Sequence, residues 1–172
     1  MPFFTIYLAL KSINVVNLTS TYECKVDNKG RVLLPGKLKQ ELSEALSEGF
    51  IIKRSIFSHC LELWPKEEWD KKLAEINKLN RFVKKNAKFI RKFLAGVRSV
   101  EPDSTGRLNI PKELMAFAGI SKTVVFTPQI SILEVWDKDK YEAEVSFEDD
   151  DDDDFGRLAE EVMGDKQPEN ES

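Results

Sequence analysis

Residues 27–35 read Asp-Asn-Lys-Gly-Arg-Val-Leu-Leu-Pro, and residues 103–111 read Asp-Ser-Thr-Gly-Arg-Leu-Asn-Ile-Pro. Asp, Gly, Arg and Pro recur in register as Asp27/Asp103, Gly30/Gly106, Arg31/Arg107 and Pro35/Pro111. The likeness extends outward from this motif. Glu62-Leu63-Trp64 is echoed by Glu134-Val135-Trp136, and Trp69 by Tyr141. The offset is 76 residues at the motif and 72 at the aromatic end, so the first copy carries a net insertion of four residues. Its longer helical stretch before Gly49 is the expected place for most of them. A unit of this size that recurs is one supersecondary element used twice.

The motif has a local logic. Asp-x-x-Gly is a turn in which Asp accepts backbone N–H bonds at the start and Gly supplies a positive φ at the end. The Val, Leu or Ile that follows suits a strand, and Pro fits the first position of a helix. Each copy therefore reads strand, tight turn, short strand, Pro, helix. Arg31 and Arg107 follow their glycines directly, at the rim of the turn. One such arginine would be a solvated side chain on a hairpin. Two at the same spacing suit a surface that recognises something repetitive and anionic.

Asp-x-x-Gly-Arg-hydrophobic-x-hydrophobic-Pro, duplicated in one chain, resembles the MraZ family of the AbrB-like (SpoVT-AbrB, swapped-hairpin) superfamily. Residues 60–69, Cys-Leu-Glu-Leu-Trp-Pro-Lys-Glu-Glu-Trp, are similar to the closing strand and helix of that family's first repeat. Residues 93–96, Phe-Leu-Ala-Gly, are similar to the segment that introduces the second repeat, and residues 134–137, Glu-Val-Trp-Asp, to its closing strand. The resemblance covers roughly residues 20 to 145. It implies an α+β fold of two tandem AbrB-like swapped-hairpin β-barrel half-units with flanking helices, assembled into a homo-oligomeric ring. It also implies a cytoplasmic, nucleoid-associated regulator that binds double-stranded DNA at a promoter of the division and cell-wall gene cluster.

Charge is segregated along the chain. Residues 142–172 hold 14 acidic and 2 basic side chains, a net of −12, whereas residues 1–141 hold 16 acidic and 24 basic, a net of +8. A basic body with an acidic tail points to nucleic-acid contact by the body. The densest basic stretch, residues 78–98, contains eight Lys or Arg and no acid. Phe82, Phe89, Ile90, Phe93, Leu94 and Val97 form an apolar stripe at helical spacing within it. The stretch reads as an amphipathic helix on the core, whose Lys84, Lys85, Lys88 and Arg91 are candidates for phosphate contact.

The organisation expected is an N-terminal extension at 1–18, a first repeat at 19–77, a basic bridging helix at 78–96, a second repeat at 97–145 and an acidic, disordered tail at 146–172. The apolar run 2–10 is far below the ~20 residues needed to span a bilayer, and no small-residue cleavage site follows it. Within the repeats, helices are expected at 36–47, 66–79, 78–94 and 111–118. The seven acids at 148–154 repel one another and suit a solvated tail. A DNA mimic that screens the basic face is the other reading of that tail.

Sequence-specific DNA binding by a homo-oligomer is the leading functional reading. Arg31 and Arg107 would meet base edges, because a planar guanidinium can bond guanine O6 and N7 together. Lys29 would take a phosphate or base edge and Thr105 a weaker contact, which makes the first repeat the stronger reader. Asp27 and Asp103, repelled by phosphate, would hold the turns with Gly30 and Gly106 and orient the arginines. The alternative is an oligomeric protein-interaction scaffold with an acidic docking tail. Enzymatic activity is not expected: the single His lies near no recognisable nucleophile and acid, and no Gly-rich phosphate loop is present. His59 beside Cys60 is too little for a metal centre, and Cys24 and Cys60 read as structural thiols. No cofactor, small-molecule substrate or membrane contact is expected.

Overall fold

The computed structural model describes residues 18–146 and 152–164. The chain divides after Lys138 into two compact units. Among the described residues the first unit contains eight strands, which follow the duplication. The first repeat contributes β1 (Tyr22–Lys25), β2 (Arg31–Leu33), β3 (Phe50–Arg54) and β4 (Leu61–Pro65). The second contributes β5 (Arg98–Val100), β6 (Arg107–Asn109), β7 (Thr123–Gln129) and β8 (Ile132–Asp137).

Six strands form one antiparallel sheet in the order β1-β7-β8-β4-β3-β5, and β2 pairs with β6 in a separate ribbon. Each repeat thus gives its first strand to the other repeat's third strand: β1 lies on β7 and β5 on β3. The registers obey a pseudo-two-fold axis. Leu61↔Val135 and Leu63↔Leu133 flank the central pair Glu62↔Glu134. Arg31↔Asn109 and Leu33↔Arg107 flank Val32↔Leu108. The fold is therefore α+β, with two tandem repeats interlocked by exchanged hairpins. The expected barrel is not closed: β1 and β5 remain as edges of an open sheet, because closure would require these two short strands to meet.

Strand alternation divides the apolar residues between two faces. Phe50, Ile52, Leu61, Leu63, Val124, Phe126, Leu133 and Val135 face the main core, together with Val32, Leu34, Leu108 and Ile110 from the ribbon and its exits. Ile51, Trp64 and Ile132 face the opposite side, with Trp69, Ile76 and Phe93. On that second face Lys53 is fully buried. Its Nζ donates to Glu62 Oε2 at 3.0 Å and to the Arg54 carbonyl at 2.6 Å, and it lies 4.4 Å from the centre of the Phe93 ring. The repeated Glu-x-Trp also has a reason. Trp64 Nε1 donates to Glu62 Oε2 at 3.0 Å, and Trp136 Nε1 to Glu134 Oε2 at 2.9 Å.

Several helices differ from expectation. The helix expected at 36–47 breaks at Leu42 (φ −94°, ψ 6°) into α1 (Gly36–Glu41) and α2 (Ser43–Leu46). The helix expected to reach residue 79 is α3 (Lys66–Ile76), and the bridging helix is only α4 (Lys84–Phe93). Asn80 separates them. Its side-chain oxygen accepts the Phe82 N–H at 3.0 Å and its carbonyl accepts Val83 N–H at 3.2 Å, a local turn that competes with helix. Phe82, expected on the buried stripe, is fully exposed as a result. The second repeat continues with α5 (Lys112–Ala118), closed by Gly119 at φ 65°, and α6 (Lys138–Val145).

The insertion in the first repeat is divided rather than concentrated in the helix. Pro35 to Phe50 spans 15 residues against 13 for Pro111 to Val124, and Phe50 to Pro65 spans 15 against 13 for Val124 to Asp137. In the second hairpin a two-residue turn suffices, with Ile130 at φ 62°, a left-handed conformation uncommon for a β-branched residue. In the tail, where a disordered segment with at most a helical turn or two at Phe155, Leu158, Val162 and Met163 is expected, Asp152–Met163 forms a helix, α7. Phe155, Leu158, Ala159, Val162 and Met163 fall on one face of it at helical spacing. The expected N-terminal extension lies outside the described residues except for Leu18.

The exchange of strands makes each repeat dependent on the other. Residues 18–92 expressed alone should lack a folded monomeric state, since β1 and β3 lose β7 and β5, and mixing with residues 93–158 should restore structure. Circular dichroism and sedimentation of the fragments check this; a cooperatively folded monomer of 18–92 would contradict it.

Candidate nucleic-acid interface

In the first turn, Asp27 Oδ1 accepts the backbone N–H of Lys29 at 2.8 Å and of Arg31 at 3.0 Å. Its Oδ2 accepts Arg31 Nε at 2.8 Å. The Gly30 N–H returns to the Asp27 carbonyl at 3.1 Å, and the Asp27 N–H donates to the Arg31 carbonyl at 2.9 Å. Gly30 sits at φ 79°, and a Cβ there would come within 3.0 Å of Met115 Sδ and 3.2 Å of the Ile110 carbonyl oxygen. Conformation and space together demand glycine.

The second turn repeats the backbone and changes the side chains. Asp103 Oδ1 accepts Thr105 N–H at 2.9 Å, Thr105 Oγ1–H at 2.7 Å and Arg107 N–H at 2.9 Å. Gly106 also lies at φ 79°. The Arg31 guanidinium is thus tied to its aspartate, whereas in the second turn the Thr105 hydroxyl takes that carboxylate. Both carboxyls are exposed and held below their ordinary value. Asp27 falls to about 2, first through the Arg31 backbone bond; Asp103 is lowered first through the Arg107 backbone bond and then by the Thr105 hydroxyl. Both are charged at neutral pH.

The ribbon brings the turns together. Leu34 N–H donates to the Gly106 carbonyl at 3.1 Å, and Ile110 N–H to the Gly30 carbonyl at 3.0 Å, so each turn is pinned by the other repeat. Val32 and Leu108 point into the core and are fully buried. By alternation their neighbours Arg31, Leu33, Arg107 and Asn109 all point outward. Arg31 and Arg107 are diagonal neighbours on this outer face, roughly 7–8 Å apart in a regular antiparallel pair.

Cations from the opposite repeat flank each turn. A hollow of about 440 Å³ beside the first turn is lined by Lys29, Lys112 and Lys122 among others. At the second turn, Lys39 Nζ lies 2.9 Å from where a Gly106 Cβ would be. Reading the sequence missed Lys39, Lys112 and Lys122, since each approaches a turn that is remote in sequence. The available signal was the duplication itself, in which Lys39 and Met115 hold equivalent places 76 residues apart.

The basic residues of α4 stand elsewhere. Phe93 and Ile90 of α4 pack on the face of the sheet that carries Ile51 and Trp64, and the ribbon packs on the opposite face. Lys84, Lys85, Lys88 and Arg91 are therefore separated from the motif arginines of the same chain by the thickness of the sheet. Cys24 is a buried thiol pushed up to about 11 by burial, and Cys60 is fully buried. Among the described residues no group of three His, Cys, Asp or Glu forms a metal cage, and no helix is long and apolar enough to cross a membrane.

Comparison with known proteins adds a family assignment. A family model for MraZ protein, described as antitoxin-like, matches residues 18–92 and again residues 93–158. A protein of Flavobacterium psychrophilum named transcriptional regulator MraZ is 56% identical over 147 residues, 86% of this chain and 92% of its own length. Its namesake in Christiangramia forsetii is 55% identical over 150 residues, covering 87% and 95% of the two chains. A more distant namesake in Bacteroides thetaiotaomicron is 31% identical over 153 residues, covering 88% and 96%.

The lowered carboxyl of Asp27 gives a pH prediction. A group whose folded value is depressed stabilises the fold above its unfolded value and loses that contribution as pH falls through the folded value. Asp27→Asn should lower the urea midpoint by a constant amount from pH 7 to about pH 4. The gap between parent and variant should narrow below the ordinary 3.8, towards about 2. A gap unchanged between pH 5 and pH 2.5 would contradict this assignment.

Proposed function

The chain belongs to the MraZ family, and on that premise we propose that it is a homo-oligomeric transcriptional regulator that binds double-stranded DNA through the outer face of the β2–β6 ribbon. One observation carries the reading: a duplicated turn places Arg31 and Arg107 on the same exposed face of a two-stranded ribbon. The major groove admits such a ribbon, and arginine makes the commonest specific contact there, to guanine O6 and N7. Lys29, Lys39, Lys112 and Lys122 surround the turns and suit phosphate contact, which supplies affinity while the arginines supply selectivity. The proposed target is a promoter of the division and cell-wall gene cluster, and the proposed location is the cytoplasm, at the nucleoid.

Preorganisation favours the first repeat as the stronger reader. The ion pair to Asp27 fixes the direction of Arg31 through Nε and leaves its terminal nitrogens for a base. Arg107 has no side-chain hydrogen bond or ion pair among the described residues and must be ordered on binding, which costs affinity. Thr105 spends its hydroxyl on Asp103 and offers a weaker contact.

Selection of bound sequences from a random DNA pool identifies the site, and titrations on it test the residues. Arg31→Ala should cost roughly 1–3 kcal/mol of discrimination at one base position, and more than Arg107→Ala. Lys29→Ala should weaken binding to all sequences alike and reduce the salt slope by about 1. Unchanged affinity and selectivity in Arg31→Ala, with normal circular dichroism, would overturn the reading.

A further inference from the structure

A groove of about 410 Å³ runs between α3 and α4, lined mainly by Leu73, Ala74, Ile76, Leu79, Ile90 and Leu94, with Arg81 in its wall. The one carboxylate in the lining, Asp70, is paired with Lys66. Residues 78–93, which frame the groove, carry seven Lys or Arg and no acid. The groove is apolar in its floor and has one cation, Arg81, in its wall.

Helix α7 has the complementary character. Leu158, Val162 and Met163 expose 52%, 70% and 83% of their surface on one face, and Glu160 and Glu161 lie beside them. A helix of 12 residues with an internal glycine is marginal by itself in water, so its apolar face calls for a partner. It is about 18 Å long and α3 about 16 Å, at 1.5 Å per residue, so the two lengths match.

We propose that α7 of one copy lies in the α3–α4 groove of a second copy, with Leu158, Val162 and Met163 on the apolar floor and Glu160 and Glu161 along the Arg81 side. This is the helix-in-groove mode, read through positions i, i+3, i+4 and i+7. It rests on the homo-oligomer reading above and assigns its interface. Because helix and groove are different patches, the contact closes as a two-fold dimer when two copies exchange helices, and as a ring or filament when it runs head-to-tail. It also gives Arg81, the cation in the wall of the groove, a partner of opposite charge.

Sedimentation of the full chain and of two exposed-site variants tests the contact. Val162→Asp spoils the helix and leaves the groove; Leu73→Asp spoils the groove and leaves the helix. Each alone should assemble roughly 30-fold or more weakly than the parent, as for loss of a central interface residue. Mixed together, they retain one good helix and one good groove and should form a 1:1 dimer. Raising salt should weaken the parent assembly. Leu158→Asp and Ala74→Asp repeat the test if circular dichroism shows either first variant misfolded. A monomeric parent overturns both this contact and the homo-oligomer reading. A parent oligomer that survives both substitutions, or variants that dissociate and fail to pair when mixed, overturns the contact alone.

Discussion

Val32 and Leu108 meet at the centre of the β2–β6 ribbon, and the rest of the molecule depends on that pairing. It buries the inner side of both motif strands in one core and forces both outer sides to solvent. It sets the two Asp-Gly turns at opposite ends of a three-residue ribbon, where each glycine carbonyl accepts a bond from the other repeat. The same two-fold relation sends β1 to β7 and β5 to β3, so neither repeat completes its own sheet. The backbone of each turn is thus held by the interlocking as well as by the bonds within the turn.

The symmetry is broken where chemistry differs. Asp27 holds a guanidinium and Asp103 holds a hydroxyl. Met115 packs at the first glycine and Lys39 at the second. On the far face of the sheet, Glu62 and Glu134 oppose each other across β4 and β8, a like-charge pair that costs stability. Lys53 offsets it from one side only, while the indoles of Trp64 and Trp136 donate to both carboxylates. A duplicated element has here become two specialised halves around one axis.

The sheet also separates the protein's two cationic regions. One surrounds the motif turns and is assembled from both repeats. The other frames the α3–α4 groove. A single basic surface would leave the dense cluster at 78–98 competing with the ribbon for DNA. Placing the sheet between them holds the basic residues of α4 apart from the motif arginines of the same chain.

The sequence by itself determined the duplication, the Asp-Gly turns, the positions of the arginines and the strand-rich character of each repeat. These follow from local chemistry: a positive φ needs Gly, a turn carboxylate needs nearby N–H groups, and Pro starts a helix. It also carried the family likeness, because the motif recurs at matching spacing. The family likeness implied exchanged hairpins, but only the tertiary structure decided which strands pair in the exchange and that the sheet stays open. Only it brought Lys39, Lys112 and Lys122 to turns remote in sequence and put α4 on the far face. Asn80 shows the limit on a smaller scale: apolar periodicity favoured helix through Phe82, but a side-chain bond local to the turn won. Pairing between distant strands depends on which edges meet in space, and no spacing along one chain records that.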